Sequence, residues 1–236
     1  MKRLHAEETD STMALLAGDP QATLATADFQ TRGRGQRGHA WHSRPGENLL
    51  LSLRLRPQGL AVERRFRLMQ RVALEIAGTL ADFGIASEIK WPNDIYADGR
   101  KICGFIVENR IAGGAIVESL AGIGLNVNQT DWPAELPNPV SMRQAAGRPF
   151  DCEEVLQALV GRLVPCPPLP AAADDALHSA YLRLLFRRRG VHPYTDAGGR
   201  FEARVAGVTP EGLLLLERSD GSRQAYGLKE VAFAAK

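Results

Sequence analysis

Residues 30–41 read Gln30-Thr31-Arg32-Gly33-Arg34-Gly35-Gln36-Arg37-Gly38-His39-Ala40-Trp41, three glycines interleaved with three arginines directly after an apolar run. That composition suits an anion. Glycine lets the backbone approach a ligand and adopt positive φ, while Arg32, Arg34 and Arg37 bring planar forked donors that match phosphate or carboxylate. The spacing Gly33-x-Gly35-x-x-Gly38 also fits the glycine pattern of dinucleotide-binding loops, but that pattern needs a helix opening inside it. Residues 41–46 carry no apolar period and hold Pro45 and Gly46, so no helix opens there. The chain has no His-Arg-Asp stretch of a kinase, no GxxxxGK[ST] phosphate loop and no GxSxG elbow of an acyl-enzyme hydrolase.

A second constellation follows: Lys90-Trp91-Pro92-Asn93-Asp94-Ile95-Tyr96, a turn at Asp98-Gly99, then Arg100-Lys101-Ile102-Cys103-Gly104-Phe105. Together with Ser11-Thr12-Met13, the glycine-arginine loop and Gly122-Ile123-Gly124-Leu125-Asn126-Val127, this sequence resembles the biotin protein ligases. The four motifs match in order and spacing, and with a compatible tail the resemblance covers nearly the whole chain.

The resemblance implies an enzyme that activates biotin with ATP and Mg2+ to biotinyl-5′-AMP. The biotinyl group then passes to a lysine of a biotin carboxyl carrier protein of acetyl-CoA carboxylase or a related carboxylase. Lys101 matches the lysine that bridges the biotin carboxylate and the α-phosphate, a task suited to a point charge on a flexible stem. Gly33, Arg34, Gly35 and Gln36 match the loop that closes over biotin and the phosphates, with Arg37 near the triphosphate. Ser11, Thr12, Met13 and Gln30 match the biotin pocket, where hydroxyl and amide groups satisfy the ureido ring. Trp41 and Gly104 match its walls, and Asn93 and Asn126 the nucleotide contacts. Two residues depart from the pattern: Arg32 stands where a small residue is usual, and Gln36 where some relatives carry arginine. Both bear on how tightly the adenylate is held.

Plainer roles compete for several of these positions. Ser11 or Thr12 also suits a helix cap, Trp41 a core position, Lys90 a paired structural lysine, and Asn93 or Asn126 a turn. Two other functions use similar parts: a lipoate protein ligase, and a noncatalytic biotin- or nucleotide-sensing module. A ureido ring needs the polar trio Ser11, Thr12 and Gln30, whereas lipoate needs a longer apolar slot.

With 236 residues, 44% of them hydrophobic, the chain can bury a full core and fill one large domain plus a small one. A net charge of +2 is too small for a general nucleic-acid binder. Cys103, Cys152 and Cys166 have neither zinc spacing nor an even count, which points to a reducing cytoplasm. His39 and His42, three residues apart without acidic or cysteine partners, make a poor metal site. No signal peptide or 18-residue apolar run is present, so no membrane partner is expected. Many relatives carry an N-terminal winged helix that binds operator DNA. Only ten residues precede Ser11, so a monofunctional ligase without specific DNA binding is expected, as a monomer or homodimer.

The elements that must position these residues follow from periodicity and breakers. A short helix is expected after Ser11-Thr12, with strands at 22–27 and 48–55 flanking the glycine loop. Phe66, Met69, Val72, Ala73, Ile76, Leu80 and Phe83 recur at helical spacing, and Gly84 supplies the stop. Short strands are expected at 87–91, 95–97, 102–107, 115–120 and 122–127, with hairpins at Asp98-Gly99 and Gly113-Gly114. After a Pro- and Asn-rich loop over 128–149, helices are expected at 152–163 and 172–187, and Arg187-Arg188-Arg189 reads as a solvated helix end. Alternation at 201–208, 212–216, 223–226 and 230–233 suggests a small barrel. The fold class is therefore α/β (α+β): residues 1–189 form a mixed sheet with helices, which by resemblance is the class II synthetase-like biotin/lipoate ligase fold, and 190–236 a C-terminal SH3-like β-barrel. The tail holds no comparable chemical constellation, so its expected role is support of the nucleotide end and docking of the carrier.

Overall fold

The computed structural model describes residues 1–33, 35, 40–166 and 168–234; Arg34, Gln36, Arg37, Gly38 and His39, on which part of the loop reading rests, lie outside the described residues. Eight strands form the larger sheet: β1 (Arg3–Thr9), β2 (Leu24–Gln30), β3 (Leu49–Leu55), β4 (Leu60–Ala61), β5 (Glu88–Lys90), β6 (Asp94–Ala97), β7 (Arg100–Ala112) and β8 (Ala115–Leu125). Their order is β1-β2-β3-β8-β7-β6-β5, with β4 beside β8. β1 and β2 run parallel and the other pairs antiparallel, so the sheet is mixed as expected. The two predicted hairpins are present. Asp98 and Gly99 (φ 50° and 70°) and Gly113 and Gly114 (φ 58° and 75°) adopt the left-handed pairs that match strand twist.

Helices α1 (Thr12–Ala17), α2 (Arg65–Asp82), α3 (Met142–Ala146), α4 (Cys152–Leu163) and α5 (Asp174–Arg183) complete this unit. The apolar stripe of α2 is buried from Phe66 to Leu80, and the helix packs on β5, β6, α4 and α5. The C-terminal residues form a second, antiparallel sheet of β9 (His192–Asp196), β10 (Gly199–Val208), β11 (Leu214–Arg218), β12 (Arg223–Tyr226) and β13 (Ala232–Phe233), ordered β12-β11-β10-β9-β13. Its inward side chains Tyr194, Val208, Leu216 and Tyr226 belong to the same hydrophobic cluster as Leu24, Val72 and Ile123 of the larger unit. Trp91 fastens the two by donating its indole N–H to the Gly212 carbonyl at 2.9 Å.

Several elements differ from the sequence reading. β1 carries the mostly polar Arg-Leu-His-Ala-Glu-Glu-Thr, an edge strand with few apolar residues to mark it. β9 begins at a proline-containing segment that offers no alternation. α3 lies inside the expected loop, where a reciprocal Ser141/Gln144 capping box and left-handed Gly147 (φ 71°) hold five residues in helix. The runs at 115–120 and 122–127 are one strand, because Ala121 and Gly122 keep their pairing with Val107 and Ile106. The last helix stops at Arg183 rather than 187. There Ile89 N–H donates to the Leu184 carbonyl at 2.7 Å and Phe186 N–H to the Ile89 carbonyl at 2.9 Å, so the chain leaves the helix to pair with β5. Arg187 is therefore no solvated helix end: it donates to the carbonyls of Pro193 (2.9 Å) and Ala234 (2.8 Å) and lies against the Phe186, Tyr194 and Phe233 rings.

Between α2 and α5 sits a polar clamp. Arg64 donates to both carboxylate oxygens of Asp174 at 3.0 and 2.6 Å, and Arg67 approaches it at 3.4 Å. Hydrogen bonding from Arg64, assisted by the charges of Arg64 and Arg67, holds the Asp174 carboxyl below the usual carboxylate range. Among the described residues no helix is long and apolar enough to cross a membrane.

Asp174→Asn should destabilise the fold by about 2 kcal/mol at neutral pH, because it leaves the buried Arg67 and the partly buried Arg64 guanidinium groups without their counter-charge. A depressed native pKa stabilises above the ordinary carboxylate range and is lost on acidification. The gap between wild type and variant should therefore close below about pH 4; chemical denaturation measured across pH tests this, and a gap that persists in acid refutes the clamp.

Candidate active site

The site begins with a row of sheet positions. Leu50 of β3, Gly124 of β8, Gly104 of β7 and Asp94 of β6 are successive register partners, and the next row runs Ser52, Gly122 and Ile106. Adjacent glycines in two central strands leave a strip of sheet without side chains, and other groups lie on it. A Cβ added at Gly124 would sit 2.4 Å from the Trp41 ring, and one at Gly104 would sit 3.1 Å from both Trp41 and the Lys101 stem. One at Gly122 would lie 2.7 Å from the sulfur of Met13. Each approach needs glycine for space, not for φ.

On the Gly122 side stands the start of α1. Ser11 caps the helix by accepting from Met13 N–H. The Thr12 N–H and hydroxyl both reach the amide oxygen of Gln30, at 2.7 and 3.1 Å, and the hydroxyl also meets Ser52 at 2.8 Å. The Ser-Thr pair thus does cap a helix, and the cap also presents it to the cavity. Gly33 closes the base of the glycine-arginine loop by accepting from Trp41 N–H at 2.9 Å. Arg32 turns away to the surface, 3.7 Å from Asp10.

On the Gly104 side, Lys101 Nζ pairs with Asp94 at 2.7 Å and lies 5.6 Å from the centre of a Trp41 ring. Its backbone is fixed by Asn138 and Val140, with N–H to carbonyl distances of 2.8 and 2.9 Å. Asn126 donates to the Val140 carbonyl at 2.9 Å, while its own side-chain oxygen is buried without a partner. The Trp41 indole N–H is buried and unpartnered too. Asn93 donates to the Phe105 carbonyl and accepts from its N–H, a bridge between β6 and β7 rather than a projecting contact. Lys90 donates to the Tyr96 hydroxyl at 2.8 Å and lies over the Tyr96 and Phe233 rings. Burial raises the Cys103 thiol well above its usual range, so it stays a protonated core residue beside the site.

Ser11, Thr12, Met13, Gln30, Gly35, Trp41, Asn93, Lys101, Gly104 and Asn126 all line one cavity of about 670 Å³. That volume is ample for a small-molecule substrate. Sequence reasoning missed part of its wall. Gly122 and Gly124 were visible as a motif, but their function as empty floor depends on sheet register. Trp132 is held over the cavity by its indole N–H to Gln144 (3.0 Å), and Phe233 reaches the wall from the second sheet. The tail thus reaches the cavity wall without bringing a chemical constellation of its own. No group of three His, Cys, Asp or Glu side chains among the described residues could hold a metal ion.

Residues 6–128 match the model of the biotin/lipoate A/B protein ligase family, and the chain belongs to that family. It is 36% identical over 241 residues to the biotin–[acetyl-CoA-carboxylase] ligase of Paracoccus denitrificans, covering 95% of this chain and 98% of that one. It is also 33% identical over 218 residues to the bifunctional ligase/repressor BirA of Bacillus spizizenii, but there it spans 65% of the relative's length. Among solved structures, biotin protein ligase from Aquifex aeolicus in complex with biotin and ATP superposes with a TM-score of 0.76 at 22% identity, covering 98% of this chain and 97% of that one. This likeness establishes the shared fold.

Gly124→Ala should push the Trp41 ring off the strip while leaving the core intact. Tryptophan emission and quenching by acrylamide should both report a more exposed indole at an unchanged melting temperature; an unaltered spectrum would show that the indole does not rest on Gly124.

Proposed function

We propose that this chain activates biotin with MgATP to biotinyl-5′-adenylate and transfers the biotinyl group to a lysine of a biotin carboxyl carrier protein. The observation that carries this reading is the glycine strip, with Met13 and the Thr12–Gln30 polar pair on one side and Lys101 on the other. Thr12, Gln30 and Ser11 supply the donors and acceptors that a ureido ring demands, and lipoate would leave them unpaired. The apolar body of biotin packs along the Trp41 ring that covers the glycine strip.

In the first step a biotin carboxylate oxygen attacks the α-phosphorus, the bond to the β-phosphate oxygen breaks, and pyrophosphate leaves. Lys101 Nζ sits where carboxylate and phosphate oxygens meet, and it offsets the charge that builds on them. Asp94 fixes the direction of that ammonium. In the second step a neutral lysine amine of the carrier attacks the acyl carbon and AMP departs. Arg34, with Gly33, Gly35 and Gln36, closes over the adenylate in this proposal, and Arg37 meets the triphosphate. Magnesium would arrive with ATP and would supply positive charge that offsets the phosphate oxygens. Asn126 and Trp132 face the nucleotide. Residues 190–236 act as a C-terminal unit that completes the nucleotide end through Phe233 and helps to dock the carrier. A cytoplasmic setting fits the use of ATP and the three free cysteines.

Calorimetric titration of biotin and of lipoate, each repeated with MgATP, tests the substrate. Biotin should bind and release pyrophosphate; lipoate-driven release exceeding that with biotin would transfer the chain to the other branch of the family. Lys101→Ala should lower pyrophosphate release by 10² or more, about 3 kcal/mol of transition-state stabilisation, with the fold intact. Release near the wild-type rate would remove Lys101 from the reaction. Arg34→Gly should let the adenylate escape and label unrelated lysines; adenylate dissociation equal to wild type would refute loop closure.

A further inference from the structure

α1 has six residues, too few to be stable alone, and its buried apolar anchor Leu16 belongs to a small cluster with Ala22 and Ala25 that is separate from the main core. Something else must fix the helix whose first turn presents Ser11, Thr12 and Met13. β3 supplies it. Ser52 and Arg54 are two apart on one strand face, about 7 Å along the strand, and Thr12 and Leu16 are one helical turn apart, about 6 Å along the helix. The two spacings match, so one strand face grips both ends of the helix.

At the first end Ser52 meets the Thr12 hydroxyl at 2.8 Å. At the other end Arg54, whose side chain is 5% exposed, spends its donors on the chain leaving α1. It reaches the carbonyls of Leu16 at 2.7 Å, Asp19 at 3.1 Å and Ala22 at 2.9 Å. Its remaining nitrogen pairs with Glu118 at 2.6 Å. A buried guanidinium is costly unless every donor is satisfied, and here three of its acceptors are carbonyls at one helix end and its turn, those of Leu16 and Asp19 also accepting from the backbone N–H groups of Asp19 and Ala22. The arrangement therefore has a single well-satisfied position.

We infer that Arg54, with Ser52, is a positioning residue for substrate recognition: it sets the depth and tilt of α1, and so the placement of Thr12 against Gln30 at the ureido end of the pocket. The inference rests on the proposed biotin site. It assigns no contact between Arg54 and substrate.

The test is steady-state pyrophosphate release by the full chain. Arg54→Lys keeps a cation beside Glu118 but cannot serve three carbonyls. It should raise the KM for biotin about tenfold, with kcat and the KM for MgATP within about twofold of wild type. Ser52→Ala, a milder change that keeps the fold if Arg54→Lys does not, should move the same parameter in the same direction. Glu118→Gln is the control, since it weakens the ion pair but leaves the guanidinium on its carbonyls; it should lower the melting temperature without moving the KM for biotin. The inference fails if the KM for biotin stays at the wild-type value in both β3 variants, if kcat and both KM values deteriorate together, or if Glu118→Gln raises the KM for biotin as far as Arg54→Lys. A wild-type chain that releases no pyrophosphate with biotin would instead refute the biotin site, and the inference with it.

Discussion

The pairing of Gly104 with Gly124 across two central strands is the constraint on which the site depends. Everything that defines the cavity is arranged around an area of sheet where no side chain projects. Trp41 can lie flat there, Met13 can press in from α1, and Lys101 can fold its stem over the edge, because the sheet surface is bare backbone at those positions. Any residue larger than glycine would turn a binding floor into core. The neighbouring strand is ordinary by comparison: every residue of β3 is buried, with Leu49, Leu51, Leu53 and Leu55 on one face, and it holds the strip in place through its pairing with β8.

How much of this could be read from the sequence depends on whether the signal is local. α2 was legible because its buried stripe repeats at helical spacing over eighteen residues, and the β6–β7 and β7–β8 hairpins because Asp98-Gly99 and Gly113-Gly114 favour positive φ wherever they occur. β1 was not, since its place comes from parallel pairing with β2 and not from its own apolar content. The early end of α5 was equally hidden, because it is set by hydrogen bonds between Ile89 and the pair Leu184 and Phe186, which lie more than ninety positions further along the chain.

The site divides in the same way. Lys101, Thr12, Gln30 and Trp41 stand in motifs with fixed spacing, and the fold gathers them without adjustment. What the motifs could not convey is the orientation that makes each useful: that Asp94 holds the lysine, that Ser52 and Gln30 share one threonine, or that Trp132 and Phe233 arrive from distant segments. Asn93 illustrates the reverse. It lies in the most specific motif of the chain and lines the cavity, yet its side chain serves as a strap between neighbouring strands.

The shared core of the two sheets carries a thermodynamic consequence. Phe233 lies in the cavity wall, leans against the Phe186 ring and meets Tyr194 edge-on, and through Tyr194 joins the cluster that continues into α2 and β8. Because the C-terminal strands share this cluster with the larger unit, melting them alone would expose apolar surface on both sides. Occupation of the cavity is then felt by the entire molecule: a ligand held against Lys101 and Phe233 raises one common transition, in proportion to the logarithm of its concentration.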